Sequence, residues 1–156
     1  MKILFVLPND YMLNGIPAGI SVLSAVLKQR GHEISVFDFT FIKTKPLKSH
    51  NEDKNLIYDA VYLPTSYTLE DLVKNDPVES LEERFVESLD KYQPDLIAVS
   101  STSTVYSMAI DLLTKCKSHI KCKVISGGVH ASCDPHDALS YDVIDLVCVG
   151  EGEEFM

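Results

Sequence analysis

Short polar side chains and glycines form four clusters along the chain, and these are the residue types that could hold a ligand. The clusters are Pro8 with Asn9; Ser100, Ser101 and Thr102; Gly127, Gly128 and His130; and Gly150 with Gly152. Serine and threonine hydroxyls can bond amide, phosphate or ring-nitrogen groups. Glycines let a backbone approach a flat or bulky molecule closely. The clusters therefore predict a binding site, and no residue is assigned as catalytic or as a metal ligand.

The elements that position these clusters are predicted from five apolar runs that alternate with amphipathic segments. Strands are expected at Ile3–Leu7, Glu33–Asp38, Leu96–Val99, Lys123–Ser126 and Ile144–Val149. Helical spacing of apolar residues predicts helices at about 17–30, 76–92, 104–117 and 134–140. Alternating strands and helices imply a parallel sheet covered on both faces. The expected fold class is α/β, a flavodoxin-like (Rossmann-like), doubly wound, five-stranded parallel sheet of order 2-1-3-4-5.

All four clusters follow strands, so this topology brings them to one edge of the sheet. In open α/β sheets, ligands bind beyond the carboxyl ends of the strands, where the strand order reverses. Here that reversal lies between strands 1 and 3. The connections at the opposite edge, residues 31–32, 93–94 and 120–121, look like ordinary turns. The asymmetry between the two edges predicts a ligand site at the carboxyl edge.

Several common ligand sites do not fit the residues at that edge. Pro8-Asn9-Asp10 stands where a dinucleotide fold has GxGxxG, so Asp38 alone is weak evidence for a ribose site. The same loop lacks the hydroxyl-rich phosphate loop of a flavodoxin. Ser100 stands where a phospho-acceptor receiver domain has an aspartate, and no GxSxG elbow occurs.

Length and charge narrow the class of protein further. The chain has 156 residues, 46% of them hydrophobic, and a formal net charge of −9. These values predict one globular domain with a real core. The acidic balance argues against nucleic acid and against an anionic membrane surface, because both need basic patches. The apolar run at residues 3–7 is much shorter than the roughly 20 residues of a spanning helix.

The four cysteines predict ordinary thiols. Cys116, Cys122, Cys133 and Cys148 are irregularly spaced, and no CxxC or CxxxCxxC pattern occurs. No metal or iron–sulfur framework is therefore expected. Reduced, structural cysteines are typical of cytoplasmic proteins, so the expected location is cytoplasmic.

A series of short segments carries a resemblance to a known family. They are the KILFVLP start, Pro17-Ala-Gly-Ile20, Gly31-His32-Glu33 with Val36-Phe37-Asp38, residues 94–100 (PDLIAVS), Gly127-Gly-Val-His130 and Gly150-Glu-Gly-Glu153. In order and spacing the chain resembles the N-terminal cobalamin-binding domain of cobalamin-dependent radical SAM enzymes. The resemblance covers nearly the whole chain except an insertion at 39–77.

The resemblance implies that cobalamin is held across the carboxyl edge of the sheet. The dimethylbenzimidazole tail would lie beside Ser100–Thr102 and Gly127–Gly128, and the His130 loop would line the tail or the corrin edge. Gly150 and Gly152 would let the backbone pass close to the ligand, and Pro8 and Asn9 complete the cofactor-binding set. Related cobalamin mutases carry a DxHxxG motif after strand 1 whose histidine ligates cobalt. Residues 8–16 contain no histidine, so the cobalamin is expected to lack a His lower ligand from this loop.

The resemblance also implies a longer enzyme, a radical SAM Fe–S oxidoreductase or methyltransferase. Radical SAM chemistry needs a CxxxCxxC loop for a [4Fe-4S] cluster, and this sequence has none. The chain is thus expected to be a fragment: domain 1–156 with its 39–77 insertion. The cluster and S-adenosylmethionine would bind only in a missing downstream radical SAM domain, its expected partner. The fragment alone is not expected to catalyse methyl transfer or related radical chemistry.

Alternatives remain open at this stage. The chain could be a flavodoxin-like interaction or regulatory domain that has lost its cofactor, or an acyl- or nucleotide-binding enzyme, although its nucleophile or phosphate loop is not found. Tyrosines of the insertion could cover a ligand, or the insertion could pack on one edge of the sheet. His130 could equally be a cap or a surface residue.

Overall fold

The computed structural model describes residues 1–9, 17–40, 42 and 80–155. Most of the predicted 39–77 insertion, including a short helix expected at Thr68–Lys74, lies outside the described residues. The same holds for residues 10–16 of the loop after the first strand. The described part contains every strand of the predicted sheet.

The sheet has five parallel strands in the order β2-β1-β3-β4-β5, which confirms the predicted fold class. The strands are β1 Lys2–Leu7, β2 Glu33–Asp38, β3 Leu96–Ser100, β4 Lys123–Gly127 and β5 Leu146–Val147. Strands β3 and β4 each reach one residue further than predicted, because Ser100 and Gly127 still pair with each other. Strand β5 is shorter than predicted, and only Leu146 and Val147 pair with β4.

The described residues contain six α-helices, of which five lie between strands and the last follows β5. They are α1 Ala18–Gln29, α2 Leu81–Tyr92, α3 Ser103–Lys115, α4 Val129–Cys133, α5 Pro135–Leu139 and α6 Gly152–Phe155. Helix α2 begins at Leu81 and not at the predicted 76–77 start, because Ser80 is extended and forms a capping box with Glu83. Helix α4 was not predicted, because Gly128 before it provides no side-chain cap, whereas Asp134-Pro135 marks the start of α5. None of the described helices is both long and apolar enough to cross a membrane.

Each face of the sheet carries its own apolar core, because successive strand residues point to opposite faces. Ile3, Phe5, Ala98 and Ile125 face α1, whose Ile20 and Leu27 are buried against them. Leu4, Val6, Ile97 and Val124 face the other way, towards buried residues of α2 and α3. This arrangement leaves the carboxyl ends of the strands as the edge on which the predicted clusters meet.

Asp145 fastens β4 to the turn before β5 at the amino edge of the sheet. Its carboxylate accepts hydrogen bonds from Lys123 Nζ at 2.6 Å and from the Val124 amide at 2.9 Å. The Lys123 bond, followed by the amide, lowers the pKa of the Asp145 carboxyl. Because the pKa is lower in the folded state, the stabilisation is present above the unfolded pKa and is lost as pH falls through the folded pKa.

We therefore expect Asp145→Asn to lower the free energy of unfolding by about 1 kcal/mol at pH 7. Urea unfolding followed by circular dichroism should show this difference shrinking in acid, as pH falls through the lowered pKa of Asp145 and the wild-type carboxylate also becomes neutral. Asp142→Asn is the matched control, because Asp142 is also exposed but does not share the bonds that Asp145 makes to Lys123 and Val124. A difference that stayed constant from neutral to acid pH would contradict the assignment.

Candidate functional site

A pocket of about 160 Å³ opens at the carboxyl edge of the sheet, on the face covered by α1. Its floor is apolar and comes from the strands, and its rim comes from the loops after β3, β4 and β5. The lining residues are Phe5, Gly19, Leu23, Ala98, Val99, Ser100, Ile125, Gly127, Gly128, Cys148, Gly150, Glu151, Gly152 and Glu153. The structure therefore brings together five predicted residues, namely Ser100, Gly127, Gly128, Gly150 and Gly152.

Gly128 allows the loops after β3 and β4 to lie against each other. It has φ +87°, and a Cβ atom there would come within 2.9 Å of the backbone nitrogen and oxygen of Ser101. The Ser101 amide donates to the Gly127 carbonyl at 3.4 Å, and the His130 amide donates to the Ser101 carbonyl at 3.2 Å. Only a glycine fits this approach without moving one of the two loops.

Two buried hydroxyls at the ends of β3 and β4 have no hydrogen-bond partner among the described residues. They are Ser101 Oγ and Ser126 Oγ. Ser126 lies near enough to Tyr106 to lower its pKa, but burial outweighs this effect and the pKa of the Tyr106 phenol is raised. The Tyr106 hydroxyl instead donates to the Ala138 carbonyl at 3.1 Å. Buried polar groups without partners are uncommon in folded proteins, but neither of these hydroxyls lines the pocket.

The far wall of the pocket is formed by the segment after β5. Gly150 has φ +89°, and its amide donates to Ser132 Oγ at 3.2 Å. Gly152 begins α6 and lies against Leu23 of α1, whose side chain would meet any Cβ at 2.9 Å. Arg30 holds the same segment through its guanidinium, which donates to the Glu153 carbonyl at 3.1 Å. The two glycines thus bring the backbone of this segment to the edge of the pocket.

Cys148 lines the pocket as a neutral thiol. All four cysteines are free, and Cys148 and Cys116 are buried. Burial raises the pKa of the Cys148 thiol, with a smaller contribution from the nearby Glu153. A raised pKa disfavours the thiolate, so Cys148 contributes an apolar wall rather than a nucleophile. Among the described residues, no group of His, Cys, Asp and Glu is arranged to hold a metal ion.

Four other predicted residues stand at the same edge but do not line the pocket: Pro8, Asn9, Ser101 and Thr102. Pro8 is buried directly after β1. Asn9 donates to the Thr40 hydroxyl at 3.0 Å, and Asp38 accepts a hydrogen bond from the Thr40 amide at 2.9 Å. The Thr40 hydroxyl therefore joins the loops after β1 and β2, and the Asp38 carboxylate is already used to hold Thr40. Thr102 is exposed and precedes α3 without a side-chain capping bond.

His130 is also outside the pocket lining. Its Nδ1 lies 3.1 Å from Ser103 Oγ, and its Nε2 lies 3.0 Å from Asp137 Oδ2. Both ring nitrogens are therefore engaged within the protein. His136, expected to lie on the surface, is exposed.

Sequence reasoning missed the apolar half of the pocket. Phe5, Ala98, Ile125 and Cys148 lie among residues that read simply as core, and Gly19 and Leu23 lie in an ordinary amphipathic helix. The period-two alternation of strands offered a signal, because Phe5, Ala98 and Ile125 share one face of neighbouring strands. What the alternation could not show is that the packing between this face and α1 leaves a gap.

Comparison with known proteins identifies the family of this chain. The family described as B12 binding domain matches residues 65–156, more than half of the chain. This chain belongs to the B12-binding domain family. No curated protein sequence matches the chain.

Two solved structures show the same fold as this B12-binding domain. One is the radical S-adenosylmethionine methyltransferase TsrM from Kitasatospora setae with tryptophan substrate and the SAM analogue aza-SAM bound, with a TM-score of 0.66 and 21% identity. The other is TsrM with cobalamin and a [4Fe-4S] cluster bound, with a TM-score of 0.56 and 19% identity. The matches cover 98% and 90% of this chain but only 24% and 20% of the TsrM chains. The chain thus spans about a quarter of the length of these proteins.

Proposed function

We propose that this domain binds cobalamin in the pocket at the carboxyl edge of its sheet and serves as the cobalamin module of a radical SAM enzyme. The observation that carries the proposal is the pocket itself, an apolar cleft with a glycine rim in a B12-binding domain. A planar, amide-rich cofactor needs close backbone approach and hydroxyl partners more than it needs charge. The rim glycines allow the close backbone approach, and Ser100 offers a hydroxyl at the pocket lining.

The residues divide into three proposed roles. Ser100, Gly127 and Gly128 border the pocket and would contact the cofactor tail, with Ser101 and Thr102 beside them. Gly150 and Gly152 would let the far wall pass close to the ligand. Pro8 and Asn9 would face the ligand from the loop after β1. Since residues 8–16 contain no histidine, we propose that this loop supplies no His lower ligand to cobalt.

The chemistry would depend on a second domain. Cobalamin supplies methyl transfer or related radical chemistry when bound. This domain would hold it, exclude water from the tail and present one face to the partner. We propose that residues 1–156 form the cobalamin domain, with 39–77 as an insertion. A downstream radical SAM domain of the same polypeptide would bind S-adenosylmethionine and the [4Fe-4S] cluster. Support comes from TsrM, a radical SAM methyltransferase whose structure holds cobalamin and a [4Fe-4S] cluster.

The test is a titration of the domain with hydroxocobalamin, followed by its visible spectrum and by co-elution on a sizing column. We expect a shifted spectrum and retention of the cofactor, with a Kd in the micromolar range, about −8 kcal/mol. Retention of the cofactor without a spectral shift would support binding at the tail alone. An unchanged spectrum together with no co-elution would favour the alternative function, a flavodoxin-like interaction or regulatory domain that has lost its cofactor.

A further inference from the structure

The His130 imidazole joins three helices beside the pocket. Ser103 belongs to α3, His130 to α4 and Asp137 to α5. The ring lies between the Ser103 hydroxyl and the Asp137 carboxylate, and it also stacks on Tyr106 at 3.8 Å between ring centroids. Only 12% of the His130 side chain is exposed. A ring held on both nitrogens and one face has a single orientation.

The backbone of the same residue reaches the pocket rim. The His130 amide donates to the Ser101 carbonyl, and the Ser101 amide donates to the Gly127 carbonyl. Gly128 lies between the two residues, Gly127 and His130, that these bonds tie to Ser101, and it has no room for a Cβ against Ser101. Any rotation of residue 130 would therefore pull on the turn that borders the pocket.

We propose that His130 is a positioning residue that locks the Gly127–Gly128 turn against Ser101 and so fixes the rim of the pocket before the cofactor arrives. The inference rests on the proposed function, and it assigns His130 a task other than contact with the cofactor. A rim held in its bound shape reduces the ordering cost of binding. Asp137 orients the ring more strongly than Ser103 does, because its carboxylate is a charged hydrogen-bond acceptor. The Asp137 residue is itself held in place by the capped helix α5.

Asp137 is positioned by the turn that begins α5. Asp134 caps this helix, with its carboxylate accepting from the Asp137 amide at 3.0 Å. Ser140 closes the other end of the helix, its hydroxyl donating to the Asp137 carbonyl at 2.7 Å. The Asp134-Pro135 pair, which the sequence marks only as a helix start, thus supports the carboxylate that orients His130.

The first test needs no cofactor. In His130→Ala, hydrogen exchange at the amides of Ser101 and residue 130 should quicken by about tenfold more than at Phe5 in β1, since only the rim loosens. His136→Ala is the matched control, because it removes an exposed histidine from the adjacent helix. Equal acceleration at Phe5 and at the rim would show a merely structural role and overturn the proposal.

The second test measures hydroxocobalamin affinity. We expect His130→Ala to weaken binding by about tenfold, which corresponds to 1.4 kcal/mol. His130→Gln, whose amide can still bond Asp137, should restore part of the loss, and His136→Ala should bind as the wild type does. Equal affinity of wild type and His130→Ala would overturn the positioning role alone, whereas no binding by the wild type would overturn the proposed function.

A third measurement tests whether Ser103 is an activated nucleophile. The hydrogen-bonded series Ser103, His130 and Asp137 contains the same residue types as a hydrolytic triad. As a positioning network, it predicts that Ser103 is unreactive. A fluorophosphonate probe should therefore leave the wild type unlabelled. Labelling that is lost in both Ser103→Ala and His130→Ala would show an activated serine and overturn the assignment of His130 as a positioning residue.

Discussion

Gly128→Ala is expected to lower the free energy of unfolding by about 3–5 kcal/mol, the largest stability effect of any substitution in this site. Two costs add at this position. The backbone has φ 87° and ψ −165°, a region that is essentially restricted to glycine. The new Cβ would also stand 2.9 Å from two backbone atoms of Ser101, which cannot swing aside as a side chain can. Guanidinium unfolding followed by circular dichroism measures the difference.

Two other glycines of the rim separate these costs. Gly150 has φ +89° but open space around its Cβ position. Gly150→Ala should therefore lower the free energy of unfolding only through backbone strain, by about 1–2 kcal/mol. At Gly127 a Cβ would meet its neighbours at 3.7 and 3.9 Å, ordinary contact distances, so Gly127→Ala should change stability by less than about 1 kcal/mol. If Gly128→Ala proved no more damaging than Gly150→Ala, the close contact between the loops after β3 and β4 would be refuted.

The fold was predictable because its main signals are local. Buried parallel strands read as continuous apolar runs, as in Ile3–Leu7, and the polar clusters follow the strands directly. Chain order then fixes the edge at which the clusters meet. The boundaries were less predictable where tertiary pairing decides them. Strand β5 keeps only two paired residues at the sheet edge, although the predicted strand, Ile144–Val149, is six residues long.

The residues at the rim of the pocket could be predicted from the sequence, but those of its apolar floor could not. Gly127 and Gly128 stood out because glycine pairs are costly unless a backbone approach requires them. Phe5 and Ala98 did not, because a pocket floor and a packed core use the same residue types. His130 stood out for its chemistry, but the sequence could not show that Ser103 and Asp137 take both of its nitrogens. Those contacts depend on the packing of α3, α4 and α5.

Gly19→Leu is expected to weaken hydroxocobalamin binding by about tenfold or more while leaving the fold intact. Gly19 lines the pocket from the first turn of α1, and a Cβ there meets nothing within 4 Å. Leucine is a better helix former than glycine, so the free energy of unfolding should stay the same or rise by up to about 1 kcal/mol. In the proposed binding mode, the added side chain would occupy space that the cofactor tail needs.

Ala25→Leu is the matched control for this prediction. Ala25 is an exposed residue of the same helix and does not line the pocket, so the variant adds a similar apolar side chain without filling the site. Spectral titration should give wild-type affinity for Ala25→Leu, and Gly19→Phe should weaken binding at least as much as Gly19→Leu. Unaltered affinity in both Gly19 variants would mean that the tail does not enter between α1 and the sheet. Gly19→Leu and Gly19→Phe should both be at least as stable to unfolding as the wild type. A loss of binding in these two variants would therefore come from the filled pocket and not from an unfolded domain.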